Sequence, residues 1–281
     1  NEGALKLAVR YTGRSRIMAA IDGFHGRTSA AMGATGQKSI QASFEPLIAD
    51  AYDYFPFGDL EAVKEKMTRD TAALIVEPIQ GESGVHTAPA EFFKGVRDLC
   101  TDNGTMMIVD EVQTGIGRTG EWYGIQNFGV VPDIITMAKA LGGGTPIGAV
   151  CSTDEISKVM TPGTHGTTFG GNPLVCAAGC AVLDIMKRDN IVPHVKDIGA
   201  RWMADLKAID SPMIKEVRGY GLIIGIQMDS SETASKVQSY CRENGVLINV
   251  AHGGTIRLIP PLILEDSQKD VFTGLLREAL D

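Results

Sequence analysis

Short apolar, β-branched runs alternating with helical stretches dominate the first two thirds of this chain and limit what it can fold into. "RIMAAI" (16–21), "AALIVE" (72–77), "MMIVD" (106–110), "DIITM" (133–137) and "IGAVCS" (147–152) each have strand length. Helical periodicity fills about 59–69, 90–103 and 172–189, and an amphipathic helix opens the chain with Asn1 placed to cap it. Strands apolar on both faces need cover on both sides. The pattern therefore predicts an α/β fold, a mainly parallel sheet flanked by helices. From about residue 190 it changes to helix 194–208, strands near 214–218, 222–228, 246–250 and 255–259, and helices 232–244 and 266–280. That predicts a large domain over 1–190 and a smaller α+β C-terminal domain over 191–281.

The 281 residues suffice to bury a sizeable core. A formal net charge of −8 argues against a nucleic-acid or anionic-membrane surface, which needs clustered Lys and Arg. No apolar run is long enough to span a bilayer and no secretory signal opens the chain, so cytoplasm is the expected compartment. The five cysteines form no CxxC pair. Cys176 and Cys180 share one helical face and are expected to be buried thiols rather than metal ligands.

Glycines cluster in "GFHGR", "QGESG", "TGIGRTG", "ALGGG" and "GTHGTTFGG", mostly just after a predicted strand, where an open parallel sheet presents its ligand crevice. "MMIVDEVQTGIGRTG" (106–120) brings an apolar strand to Asp110 and Glu111. Such an ending could hold magnesium in a nucleotide hydrolase, but that chemistry also demands GxxxxGK[ST], and no such string occurs here. The alternative is a carboxylate beneath a pyridine-type cofactor. "GYGLIIG" (219–225) approaches a dinucleotide fingerprint but has one residue too many and runs on as a strand.

Lys139 in "DIITMAKALGGG" (133–144) follows an apolar strand and precedes three glycines. A lysine with its ordinary pKa leaves only about one amine in 2,500 neutral at pH 7. An apolar pocket would depress that pKa and supply the free amine for Schiff-base formation. Asp110, one sheet unit earlier, could then pair with a protonated pyridine nitrogen and keep the ring an electron sink.

"FHGRT" (24–28), "EPIQGE" (77–82), "DEVQTGIGRTG" (110–120), "AKALGGG" (138–144) and "GTHGTTFGGNP" (163–173), with "IRLIPPLILED" (256–266), resemble class III pyridoxal-phosphate aminotransferases. The resemblance is strongest to the acetylornithine and ornithine branch. It implies the fold type I architecture of aspartate-aminotransferase-like enzymes, pyridoxal 5'-phosphate as cofactor, and a homodimer with shared active sites.

Carried over by position, the resemblance makes Lys139 the Schiff-base lysine and proton shuttle, with Asp110 on the ring nitrogen and Gln113 on the ring hydroxyl. Phe24 stacks on the ring, His25 joins the cofactor contacts, and Thr168 donates to the phosphate held by a neighbouring subunit. Arg27 clamps a substrate carboxylate and Thr167 touches the neighbour's substrate. Glu82 and Arg257 form a switch, paired while the amine donor is bound and separated to admit glutamate or 2-oxoglutarate. Glu77 supports the site from behind. Ser83 stands where the family usually has Gly or Ala.

The implied reaction moves an amino group from an ω-amine donor such as N-acetylornithine to 2-oxoglutarate, a step of arginine biosynthesis. 4-Aminobutyrate, ornithine, succinylornithine or lysine-pathway donors are the alternatives, and aminomutase or decarboxylase chemistry is a weaker one. Family members carry a segment ahead of the position of Asn1, including a turn that holds the cofactor phosphate. This chain is accordingly expected to be a fragment of a longer enzyme, and the competing non-enzyme reading is a remnant unable to hold cofactor.

Overall fold

A computed structural model describes residues 1–281, which divide into two compact units. The first comprises 1–78, 88–116 and 125–184; the second comprises 79–87, 117–124 and 185–281.

In the first unit, β1 (Arg16–Ala20), β2 (Tyr52–Phe55), β3 (Thr71–Val76), β4 (Met106–Asp110), β5 (Ile134–Met137) and β6 (Ala149–Ser152) form one sheet in the order β2-β1-β3-β4-β5-β6. All pairings are parallel except β5–β6. Every residue of β3 and β4 is buried, as expected of central strands covered on both faces. The mainly parallel sheet flanked by helices is what the apolar strand pattern predicts, and it fits the fold type I architecture that the resemblance implies.

α1 (Glu2–Thr12) buries Ala4, Leu5, Leu7 and Ala8, one stripe of its surface, and stops at Gly13, whose φ of 67° a side chain would disfavour. α2 (Ser29–Ala34) and β2 had no counterpart in the sequence reading. β2 is an edge strand with three half-buried residues, so it lacks an apolar run. Its tyrosines nevertheless fix α2: Tyr52 Oη donates to the Ala30 carbonyl (2.9 Å) and Tyr54 Oη to that of Gly33 (2.6 Å). Burial pushes the Tyr52 hydroxyl up to about 12. α3 (Leu60–Lys66) is shorter than expected, whereas α4 (Ala90–Asn103) matches its predicted span and buries Phe92, Phe93, Val96 and Cys100. Full burial of an aromatic such as Phe93 contributes about 1.5–3 kcal/mol.

α5 (Pro173–Arg188) overturns one expectation: Cys176 and Cys180 do share a helical face, but both are exposed, because that face has no cover within this chain. Of the five thiols only Cys100 and Cys241 are buried.

In the second unit, α6 (Ile191–Lys207) starts before Pro193 rather than after it, because a first-turn proline gives up an N–H that has no helical partner. β7 (Ile214–Tyr220), β8 (Ile223–Met228), β9 (Asn249–Ala251) and β10 (Thr255–Leu258) pair antiparallel in the order β9-β10-β8-β7. The strand expected at 246–250 is displaced to 249–251. Gly245 (φ 80°) and the Val246 amide, which donates to the Cys241 carbonyl (2.8 Å), still belong to the end of α7 (Ser231–Glu243). α8 (Asp266–Leu280) opens with a reciprocal cap between Glu265 and Gln268. "GYGLIIG" is the β7–β8 hairpin, not a phosphate turn. No helix is long and apolar enough to cross a membrane.

Candidate active site

β4 ends in Asp110, 3% exposed, at the carboxyl edge of the first unit's sheet. Its Oδ2 accepts from His25 Nδ1 (2.8 Å) and from Asn1 Nδ2 (2.7 Å). Its Oδ1 accepts from the Val112 amide (3.0 Å) and more weakly from Thr136 Oγ1 (3.4 Å). Burial pushes this carboxyl up, but the bond and charge interaction with His25, then the Val112 and Asn1 bonds, outweigh it. The net is a carboxyl below its ordinary value, ionised at neutral pH.

An ionised carboxylate only accepts, so His25 Nδ1 carries the hydrogen of that pair. This fixes the ring and leaves Nε2 buried without a hydrogen-bond partner. The His25 amide donates to Thr35 Oγ1 (2.9 Å), and the adjacent Phe24 amide donates to Glu77 Oε2 (2.9 Å). Glu2 Oε1 accepts from Thr28 Oγ1 and the Ala30 and Ala31 amides, which ties α1 to the start of α2.

Phe24, His25, Arg27, Asp110, Gln113 and Lys139 line one cavity of about 390 Å³, together with Asn1, Glu77 and His165. The Arg27 guanidinium carbon lies 5.8 Å from the Phe24 ring centre, within cation–π range. Lys139 has a φ of 45°, a left-handed conformation that costs a non-glycine residue about 1 kcal/mol and concentrates at functional sites. It is exposed rather than buried in an apolar pocket as expected: Met137 and Leu141 are buried on either side, and the left-handed turn leaves the lysine at the cavity. Glu111 serves the chain locally, accepting from Thr114 Oγ1 (2.5 Å) and the Ile125 amide (2.8 Å).

Thr167 and Thr168 lie on an exposed loop and do not line this cavity. Glu82 and Arg257 belong to the second unit, where Arg257 Nη1 donates to Glu82 Oε1 and to the Gly81 carbonyl, both at 2.9 Å. The Arg257 side chain is 10% exposed and its Nε is buried without a hydrogen-bond partner. A larger groove of about 920 Å³ in that unit presents Leu247, Ile259, Ile263 and Val271 and has no comparable grouping of Lys, His and Asp.

Sequence reasoning missed Asn1 and Thr136. Asn1 makes no side-chain cap to α1; its Nδ2 also donates to the His25 carbonyl (2.6 Å) and its Oδ1 accepts from Thr136 Oγ1 (2.7 Å). The one available signal was a polar threonine inside the apolar run "DIITM"; the fold then sets it opposite Asp110 across β4 and β5.

Ser83 Oγ is buried without a hydrogen-bond partner. Ser83→Ala should therefore stabilise the protein by about 1 kcal/mol, read as a higher urea midpoint at unchanged slope. A lower midpoint would show that the hydroxyl is satisfied in solution.

A buried, ionised strand-end aspartate and a strained lysine on one cavity at the carboxyl edge of a parallel sheet define an α/β enzyme site. Residues 1–280 match the family model for aminotransferase class III, and the chain belongs to that family. It is 43% identical to the acetylornithine aminotransferase of Methanothermobacter thermautotrophicus, over 98% of this chain and 70% of that protein. It is 42% identical to the acetylornithine aminotransferase of Mycobacterium tuberculosis, over 100% of this chain and 70% of that protein. Among solved structures, an ornithine aminotransferase from Toxoplasma gondii with partial occupancy of PLP at its active site superposes with a TM-score of 0.93. It is 32% identical, and the match covers 99% of this chain and 68% of that one.

Proposed function

We propose that this aminotransferase takes the ω-amino group of a donor such as N-acetylornithine and delivers it to 2-oxoglutarate, with pyridoxal 5'-phosphate as carrier. The observation that carries the reading is Asp110, held ionised in a buried network and facing the cavity that Lys139 lines. The residues present fit the cofactor. A fixed anion suits a protonated ring nitrogen, Phe24 offers an aromatic face, and the unpartnered His25 Nε2 is a polar atom awaiting a neighbour.

When bound, the cofactor supplies an electron sink and a carrier for the amino group. Asp110 would hold the ring-nitrogen proton, and His25, Asn1 and the Val112 amide keep that carboxylate from rotating away. Gln113 would hold the ring hydroxyl and Thr168 of a neighbouring subunit the phosphate. The Lys139 amine would hold the cofactor and would be the base that takes up and returns a proton at the substrate carbon. Arg27 would grip the donor's carboxylate in a two-point fork, with Thr167 of the neighbour beside it. Arg257 would bind the second carboxylate of glutamate or 2-oxoglutarate whenever Glu82 releases it. The proposal includes a homodimer and a cytoplasmic location.

The acetylornithine assignment rests on relatives 41–43% identical that carry that name. Ornithine is the second reading, supported by the Toxoplasma structure. Glutamate formation from 2-oxoglutarate is the test, with N-acetylornithine, ornithine, succinylornithine and 4-aminobutyrate compared as donors in the presence of pyridoxal phosphate. N-Acetylornithine should lead in kcat/KM by about tenfold, the discrimination one well-placed set of pocket contacts provides. A different leading donor would reassign the substrate, and no glutamate from any donor would overturn the function.

A further inference from the structure

Arg257 has a counterpart in the same sheet that the reading above does not use. Gly225 on β8 stands opposite Arg257 on one side and Arg218 on the other. Directly opposed residues of antiparallel strands project to one face, so the two arginines flank a glycine gap in a single row. The 79–87 segment lies over this row. A Cβ at Gly225 would stand 2.9 Å from Val85 Cβ and 3.2 Å from the Gly84 carbonyl oxygen, so the missing side chain admits the loop. Val85 is anchored below by a buried cluster with Ile79 and Ile223.

The two arginines use the loop differently. Arg218 is 9% exposed and its donors are engaged: Nη2 to the Gly84 carbonyl (2.7 Å), Nε to that of Val85 (3.0 Å), and Nη1 to Glu216 (2.7 Å). Nη2 is further braced by Gln227 Oε1 and Thr255 Oγ1, each at 3.2 Å. Its loop partners are backbone carbonyls, which no change of side-chain rotamer can withdraw. Arg257 instead holds the loop's front half through the Gly81 carbonyl and the Glu82 carboxylate, which is a side chain and can turn away. Gly84 (φ 133°) and Val85 (φ 58°), the residues Arg218 grips, have conformations that most residues avoid, so something must hold them.

We propose that Arg218 is the positioning residue of the Glu82–Arg257 pair: by pinning Gly84 and Val85 it confines Glu82 to swinging on a fixed loop. The inference rests on the aminotransferase reading for its consequence, the alternation between an ω-amine donor and a dicarboxylate. A pinned loop lets Glu82 return to Arg257 at every donor half-reaction. A loose loop leaves Arg257 uncovered and costs the donor half-reaction more than the glutamate half-reaction.

The test uses the full chain with Arg218→Lys and Arg218→Gln, each alone and combined with Glu82→Gln. The donor half-reaction should lose about tenfold more kcat/KM than the glutamate half-reaction in Arg218→Gln, with Arg218→Lys between it and wild type. Combined with Glu82→Gln, the same substitutions should no longer shift that ratio, because they act through Glu82. Amide hydrogen exchange over 81–85, measured without substrate, should quicken in Arg218→Gln while α6 keeps its protection. Gly225→Ala, which presses the loop away with Arg218 intact, should reproduce the ratio shift and serves if the arginine variants fail to fold. Equal shifts with and without Glu82→Gln, or unchanged exchange over 81–85, would overturn the proposal. Wild-type protein that transfers no amino group would defeat the aminotransferase reading instead, and the exchange measurement would still decide the role of Arg218.

Discussion

Lys139→Ala is expected to lower kcat for amino transfer by about 10⁴-fold, since one side chain serves as both attachment point and proton-transfer base. The backbone argues that the loss would be chemical. Alanine at 139 keeps the same left-handed strain, so the turn to Gly143 has no new reason to move. A structural check accompanies the kinetics: incubation with pyridoxal phosphate, borohydride reduction and peptide mapping. The wild-type chain should carry one phosphopyridoxyl group on Lys139, and Lys139→Ala should carry none. An adduct at another lysine, or a variant that keeps its rate, would remove Lys139 from the chemistry.

Asp110→Asn should cost about 10³-fold in kcat, the scale of losing one preorganised charge at a reacting centre. It should also destabilise the protein by about 3 kcal/mol, because an amide cannot accept on both ends and leaves buried donors facing an NH₂ group. The pH dependence follows from the depressed carboxyl. Its folded value lies below the unfolded reference of 3.8, so its stabilisation is fully present above that reference and is lost as pH falls through the folded value. Thermal melts should therefore show a constant gap between wild type and Asp110→Asn near neutrality, closing only below about pH 4. A gap that shrinks between pH 7 and 5 would mean that Asp110 is not the ionised group described here.

Much of this architecture was legible in the chain. The predicted strand 106–110 and helices 90–103 and 266–280 coincide with observed elements, since each has a continuous apolar pattern and clear end signals. The edge strand Tyr52–Phe55 was not legible, because a half-buried edge has no apolar run and its tyrosines act through distant carbonyls. The strand expected at 246–250 failed for a related reason. Helix-end hydrogen bonding kept Val246 while leaving its apolar neighbour Leu247 exposed.

By itself the sequence determined the chemical repertoire: an acid ending a buried strand, a lysine before three glycines, and an aromatic beside a glycine turn. Those are local properties, set by residue type and by neighbours a few positions away. The tertiary structure alone decided that Asp110 would be held by Asn1, His25 and Thr136, which lie 109, 85 and 26 residues from it along the chain. It alone set Arg218 and Arg257 on either side of Gly225. Hydrogen bonds of that span depend on strand order and register, and no local pattern encodes which strands become neighbours until the core has closed around them.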